Sequence, residues 1–436
     1  MLSPLGNITY RRLFEAQVVA LLGTGLATVA LGLLAHRLGG ASAGEILGIA
    51  LAIKMVAYVA VAPFASALTA NLPRKSLLIG LDLVRAGVAA LLPFVSEAWQ
   101  VYALMTVLNV ASAAFTPAFQ AMIPEILPDE REYTKALSLS RLASDLESVA
   151  SPVIAAVLLA FLAYNDLFAG TALGFILSAL LVLSAALQTT RVVPQKSFAQ
   201  RLTVGFRLFA LTPRLRALVA ISLATAAGGA MVFINTVVIV QTQFSLSEQH
   251  TAWALAVFGL GSMSAAMLVP RLLEDMPDRV VMILGGAMIT AGLIGGAFHH
   301  HGGYYDFLVL WFDIGVGYSL TLTPASRALR RSASPEDRPG LFAAYFTLSH
   351  ACWLIAYPVA GLISATWGAN AAFIALGILS AVGSFATWLL WPPHDPEILP
   401  HRHDDLPEDH PHVAEHGFKH EHAVVIDAWH PKSPRK

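Results

Sequence analysis

Two stretches decide how this sequence folds. They are Thr116-Pro117-Ala118-Phe119-Gln120-Ala121-Met122-Ile123-Pro124-Glu125-Ile126-Leu127-Pro128-Asp129-Glu130-Arg131 and Thr323-Pro324-Ala325-Ser326-Arg327-Ala328-Leu329-Arg330-Arg331-Ser332-Ala333-Ser334-Pro335-Glu336-Asp337-Arg338. The Thr-Pro-Ala triplet, a following alanine, a second proline and an arginine recur at a displacement of 207 positions, each time with an acidic pair after the second proline. Both stretches close an apolar run, cross a charged loop and lead into another run. Further on, Ala150-Ser151-Pro152-Val153 is answered by Ala356-Tyr357-Pro358-Val359. Prolines matched across a charged loop are not what low-complexity apolar sequence produces by chance. The chain reads as two copies of one unit.

Outward from these stretches, apolar runs near the ~20 residues needed to cross a bilayer recur along almost the whole length. They lie at 13–35, 46–68, 77–95, 101–123, 142–162, 167–187, 218–240, 252–269, 280–298, 307–325, 341–363 and 371–391, the eighth being the shortest. Backbone amides in lipid must be paired within their own segment, so such runs are helices. The expected fold is an all-α membrane protein, with twelve transmembrane helices in two pseudo-symmetric six-helix bundles. Residues 1–187 form the first bundle and 217–391 the second. A linker, 188–216, joins them with six basic residues and no acidic one, and a tail, 392–436, follows. Only 13% of residues are charged, against roughly 25% in soluble proteins, so the chain lacks the solvated surface of a globular domain.

Basic residues set the expected orientation. One set of loops holds Arg74, Lys75, Arg131, Lys135, Arg271, Arg279, Arg327, Arg330, Arg331, Arg338 and the linker cations, whereas the other set holds Arg37. Both termini are therefore expected in the cytoplasm, with the chain in a bacterial inner (plasma) membrane. No cleavable signal peptide is expected, since the first run follows Arg11 and Arg12 without a small-residue cleavage site. A net charge of −1 carries no signal for nucleic acid. Cys352, the sole cysteine, excludes a disulfide framework or a thiolate metal knuckle.

Ionisable groups inside a span cost roughly 2.5–3.5 kcal/mol on insertion scales, so each is a functional candidate. The fifth run is the richest: Ser140, Arg141, Ser144, Asp145, Glu147, Ser148, Ser151 and Pro152 share one half of its helix. Arg141 and Asp145, at i and i+4, can neutralise each other. Glu147 has no basic residue at i±3 or i±4 and is the candidate proton or cation site. Two readings are open for this cluster, a coupling site or a gate ion pair. Lys54, eight positions into the second run, is either salt-bridged or an attraction for an anionic substrate such as a metal chelate. His350 stands opposite the Ser144–Asp145 level in the repeat alignment. Asn109 and Asn235 are mid-span amides suited to helix–helix hydrogen bonds.

These features resemble the major facilitator superfamily over about residues 10 to 392. That family carries Gly-x-x-x-Asp-Arg-x-x-Arg-Arg between its second and third helices. Here the stretch runs Ser66-Ala67-Leu68-Thr69-Ala70-Asn71-Leu72-Pro73-Arg74-Lys75, which keeps only the terminal basic pair. Leu81-Asp82-Leu83-Val84-Arg85-Ala86 and the Thr-Pro-Ala-Phe-Gln-Ala-Met-Ile-Pro at 116–124 are similar to the drug-exporter branch that includes macrolide and enterobactin exporters. The resemblance implies a monomeric secondary transporter with protons as coupling ion. It also makes the tenth helix cavity-lining, which turns Asp313 into a candidate substrate or coupling residue.

The tail is of a different kind. Nine of the fifteen histidines fall within 392–436, and His401/His403, His410/His412 and His420/His422 are His-x-His pairs, with His416 between them. No apolar periodicity marks it, so no regular structure is expected there. Imidazoles among Asp404, Asp405, Glu408, Asp409, Glu415 and Glu421 suit Ni²⁺, Co²⁺ or Zn²⁺. His299-His300-His301 is a second, weaker candidate. With this tail the chain resembles nickel-resistance exporters of the NreB type. The leading expectation is proton-coupled efflux of a divalent metal, nickel first, with cobalt or zinc as alternatives. The competing one is efflux of a drug, macrolide or siderophore, the tail being incidental. No enzyme constellation is present.

Overall fold

The computed structural model of the chain describes residues 2–39, 43–69, 72–187, 197–298, 303–395, 398–402 and 419–423. The apolar runs are helical. The first half contains α1 (Ile8–Gly39), α2 (Ala43–Thr69), α3 (Arg74–Leu91), α4 (Ala98–Ile126), α5 (Glu130–Leu159) and α6 (Tyr164–Ser184). A short helix, α7 (Phe198–Leu211), follows. The second half contains α8 (Pro213–Val238), α9 (Glu248–Asp275), α10 (Asp278–Phe298), α11 (Tyr304–Leu322), α12 (Ala325–Arg330) and α13 (Arg338–Leu390).

Ten of the described helices are long and apolar enough to cross a membrane. One of them, α13, is two spans joined at Gly368, whose φ of +84° is a conformation that favours glycine. The 30-residue α5, about 45 Å at 1.5 Å per residue, completes the set. Ten, one more from α13 and one more from α5 make the expected twelve. The eighth span is not short: α9 runs for 28 residues because its helix continues through the polar flanks of the apolar run.

The repeated Thr-Pro-Ala is used differently in its two copies. In the first, α4 runs on through Pro117 and Pro124. In the second, α11 stops at Leu322 and α12 begins at Ala325. Proline cannot donate to the helix ladder in either copy. The second copy uses the break to turn Arg327, Arg330 and Arg331 toward the neighbouring loops.

Part of the basic linker is the helix α7, started by a capping box between Ser197 and Gln200. Gly205 of α7 lies so close to the Gly340 carbonyl and Ala344 of α13 that a Cβ would not fit. The tail, expected without regular structure, has two short antiparallel strands among its described residues. They are β1 (Ile398–Arg402) and β2 (Lys419–Ala423), in a register that sets His401 opposite His420. Ladder pairing draws on backbone groups, which apolar periodicity does not report.

Two seams join the halves: α5 packs on α9, and α2 packs on the first arm of α13. Under the 207-position repeat α5 corresponds to that arm and α2 to α9. The seams are thus symmetry equivalents, with the cleft between them.

Candidate functional site

α1 is packed by α2, α4, α5 and α6, and α8 by α9, α10, α11 and α13. Each is surrounded by its own half, so its remaining open face looks into the cleft. On α1 that face carries Thr24 and Thr28, both exposed, while Gln17 on the same helical stripe accepts from Ser140 of α5 at 2.9 Å. On α8 it carries Phe233, 47% exposed. Phe233 stacks on Trp353 at 6.1 Å and meets Phe258 edge-on at 5.7 Å. Trp353 also contacts Tyr318 and Tyr357. One wall of the cleft is polar and the other aromatic.

On the α5–α9 seam, Arg141 and Asp145 form the expected i, i+4 ion pair. Ser262 of α9 donates to Asp145 Oδ2 at 2.6 Å, and Arg141 Nε donates to Ser262 Oγ at 3.3 Å. The Arg141 guanidinium also lies 4.9 Å over the Tyr318 ring. The pair therefore serves as a joint between the halves.

The α2–α13 seam holds a different set at a similar height. Tyr58 packs against Phe346 and edge-on to His350, both at 4.9 Å. His350 Nδ1 lies 2.7 Å from the Phe346 carbonyl. The Lys54 ammonium is 5.6 Å from the centre of the Tyr58 ring and within electrostatic reach of both Glu147 and His350. Measured along their helices from the end with the basic loops, Lys54, Asp145, Glu147 and His350 stand about 18–25 Å deep at 1.5 Å per residue. Lys54 is eleven residues into α2, since the helix begins at Ala43 rather than at the start of the apolar run.

Glu147 is half-buried and engages no basic group within 4 Å among the described residues. Ser151, one turn on, points to the same place. A Cβ on Gly25 of α1 would collide with both the Ser151 hydroxyl and Glu147 Oε1. The close approach of α1 through Gly25 thus confines Glu147 between α1, α5 and the Lys54 side of α2. The structure brings together Lys54, Glu147, Ser151 and His350.

Other expected residues stand apart. Ser144 bonds back to the Ser140 carbonyl at 3.1 Å. Asp313 is half-buried with no hydrogen bond or ion pair among the described residues. Asn109 is buried and bonds to the Met105 carbonyl of its own helix, not to a neighbouring one. Asn235 is buried and reaches the Ala360 carbonyl of α13 at 3.3 Å, the expected helix–helix bond. His299-His300-His301, His403, His410, His412 and His416 lie outside the described residues, as do Ala70 and Asn71. For His401, His420 and His422 the backbone is described, in β1 and β2. No three His, Cys, Asp or Glu side chains converge as a metal cluster among the described residues.

Sequence reasoning passed over Tyr58, Ser262, Tyr318 and Gly25. Tyr58 had a readable signal, four positions after Lys54. The others depend on which helices meet, which no local pattern states. A buried Asp82–Arg85 pair was also quoted only for its resemblance. Ser178 donates to Asp82 at 2.8 Å, and Arg85 is held between the rings of Phe115 and Phe175. This unit lies inside the first half.

The basic end of the cleft is closed. Arg327 forms an ion pair with Glu130 at 2.6 Å and also reaches Asp278. Tyr133 donates to the Ser326 carbonyl at 3.2 Å, and Arg330 donates to the Pro128 carbonyl while lying over the Tyr133 ring. The surviving basic pair of the loop motif stays within its own half: Arg74 pairs with Glu125, and Lys75 donates to the Ala185 carbonyl.

A pseudo-symmetric pair of six-helix bundles around a cleft closed at one end defines the alternating-access class of multi-pass membrane transporter. The chain matches the Major Facilitator Superfamily over residues 13–237 and 217–430, and it belongs to that family. It is 22% identical over 333 residues to the uncharacterized MFS-type transporter YfiS of Bacillus subtilis, covering 73% of this chain and 78% of that one. It is also 29% identical over 115 residues to macrolide efflux protein A of Enterococcus faecalis, covering 25% of this chain and 35% of that protein. The human organic anion transporter MFSD10 shares the fold at a TM-score of 0.74 and 13% identity, over 87% of this chain and 99% of that one. A bacterial homologue of the iron transporter ferroportin, in an outward-facing state, does so at 0.73 and 13%, over 88% and 99%.

Proposed function

We propose that this transporter exports small organic molecules in exchange for protons, from a plasma membrane in which both termini and the basic loops face the cytoplasm. The observation that carries the reading is the cleft itself. It has an aromatic wall built from Phe233, Trp353 and Tyr357, a polar wall on α1, and one confined carboxylate, Glu147. Aromatic faces bind organic bodies through large apolar contact. A carboxylate held without an ion-pair partner is a group that can load and release a proton. The similarity to macrolide efflux proteins supports export as the direction. The contacts that close the basic end support reading the described state as open away from the cytoplasm.

Metal efflux, the first expectation from the tail, is retained as the second reading because three His-x-His pairs remain a strong compositional feature. In that reading Ni²⁺, Co²⁺ or Zn²⁺ is cargo collected at the tail. The membrane helices favour the organic reading, since the described cleft brings one carboxylate and one imidazole beside a lysine, and a cation repels a bare metal ion. A growth and efflux panel separates them, with Ni²⁺, Co²⁺, Zn²⁺, a macrolide and a siderophore in an efflux-deficient strain with and without this chain. Protection against an organic compound supports the first reading. Protection confined to metals overturns it.

A further inference from the structure

Lys54 is a half-buried cation at mid-depth in a membrane protein, and it forms no hydrogen bond and no ion pair among the described residues. A charge in that position is costly unless it is paired. Its neighbours are an aromatic face, Tyr58, and two groups that feel its charge without touching it, Glu147 and His350. Glu147 is held away by its own surroundings, since α1 crowds it at Gly25 and Ser151 stands beside it. Opposite charges near each other but out of contact leave room for a third group.

We infer that Lys54 is the recognition site for a carboxylate on the transported molecule. The inference rests on the reading of the cleft as the export path and names the substrate class: an organic acid with an aromatic body. The acid's anionic group meets Lys54, and its apolar part lies against Tyr58, Phe346 and the Trp353 wall. The charged group that acts on Glu147 is Lys54 from α2; Ser151 stands beside it on α5, and α1 approaches it at Gly25.

The test uses the full chain in nanodiscs of zwitterionic lipid and three radiolabelled probes of one shape: 2-naphthoate, its methyl ester and 2-naphthylmethylammonium. Equilibrium dialysis should show 2-naphthoate bound at least tenfold more tightly than either of the others. Lys54→Gln should erase the preference and Lys54→Arg should keep most of it, with thermal melts confirming that both variants are folded. The proposal is overturned if the wild-type chain does not bind 2-naphthoate, if ester or amine binds as well, or if the preference survives in Lys54→Gln. Failure here with uncharged or cationic compounds still exported in the growth panel removes the role of Lys54 and leaves organic export standing. Failure of the panel as well removes the export reading itself.

Discussion

At the residue scale, the site turns on a missing side chain as much as on those present. Gly25 lets α1 approach the Glu147–Ser151 face of α5 within a distance no other residue permits. Gly25→Ala should push Glu147 toward Lys54 or part the two helices, costing about 1–3 kcal/mol, the usual range for overpacking. A thermal melt of the purified variant checks this, and an unchanged melting temperature with unchanged transport would show that the contact is loose. Glu147 and Lys54 were legible in the sequence because a charge inside an apolar run is conspicuous whatever surrounds it. Gly25 was not, since a glycine in an alanine-rich span carries no sign of what crosses it. Asn109 shows the converse: its amide was visible, but its bond to its own helix was not, because both outcomes satisfy the same polar group.

At the element scale, the two seams are repeats that have diverged. The α5–α9 seam is pinned by an ion pair and a serine, whereas the α2–α13 seam is packed by rings beside an unpaired lysine. Arg141 and Asp145 bind across the seam through Ser262, and the choice between a coupling site and a gate ion pair is put to the following test. Asp145→Asn should strand the Arg141 guanidinium, and removing one partner of a buried pair costs about 3–5 kcal/mol. Ser262→Ala removes a bond yet leaves the pair intact, at about 1 kcal/mol. Quantifying folded protein in membranes for the two variants should therefore show a large loss for the first and a small one for the second. Equal levels would contradict the account of the seam. The repeat itself was readable from its prolines. Which seam became polar was not, because Ser262 and Tyr318 acquire a role only through the helices they meet.

At the scale of the whole molecule, closure at the basic end predicts a labelling pattern. In a Cys352→Ser background, a cysteine at Thr28 should react with a membrane-impermeant maleimide added to intact cells. One at Ser326, beneath Tyr133, should be protected in the same state. Reversed reactivity would contradict both the orientation and the state. The tail makes a separate prediction. Truncation after Asp395 should leave export of organic compounds unchanged, and the tail of the intact chain should bind Ni²⁺ more tightly as pH rises through about 6.5, where imidazole loses its proton. Calorimetry at pH 5.5 and 7.5 on full-length and truncated protein checks it, and equal affinity at both values would rule out imidazole ligands.

The central claim is that a proton on Glu147 drives export through the cleft. The direct measurement is uptake into inside-out vesicles of whichever panel compound the wild-type chain exports, with and without an imposed pH gradient, for wild type and Glu147→Gln. The variant should lose gradient-driven accumulation entirely while still exchanging labelled for unlabelled compound at equilibrium, since exchange needs the cleft but no net proton movement. Gradient-driven accumulation at the wild-type level in Glu147→Gln would contradict the claim and move the coupling role to another carboxylate, Asp313 being the next in the spans.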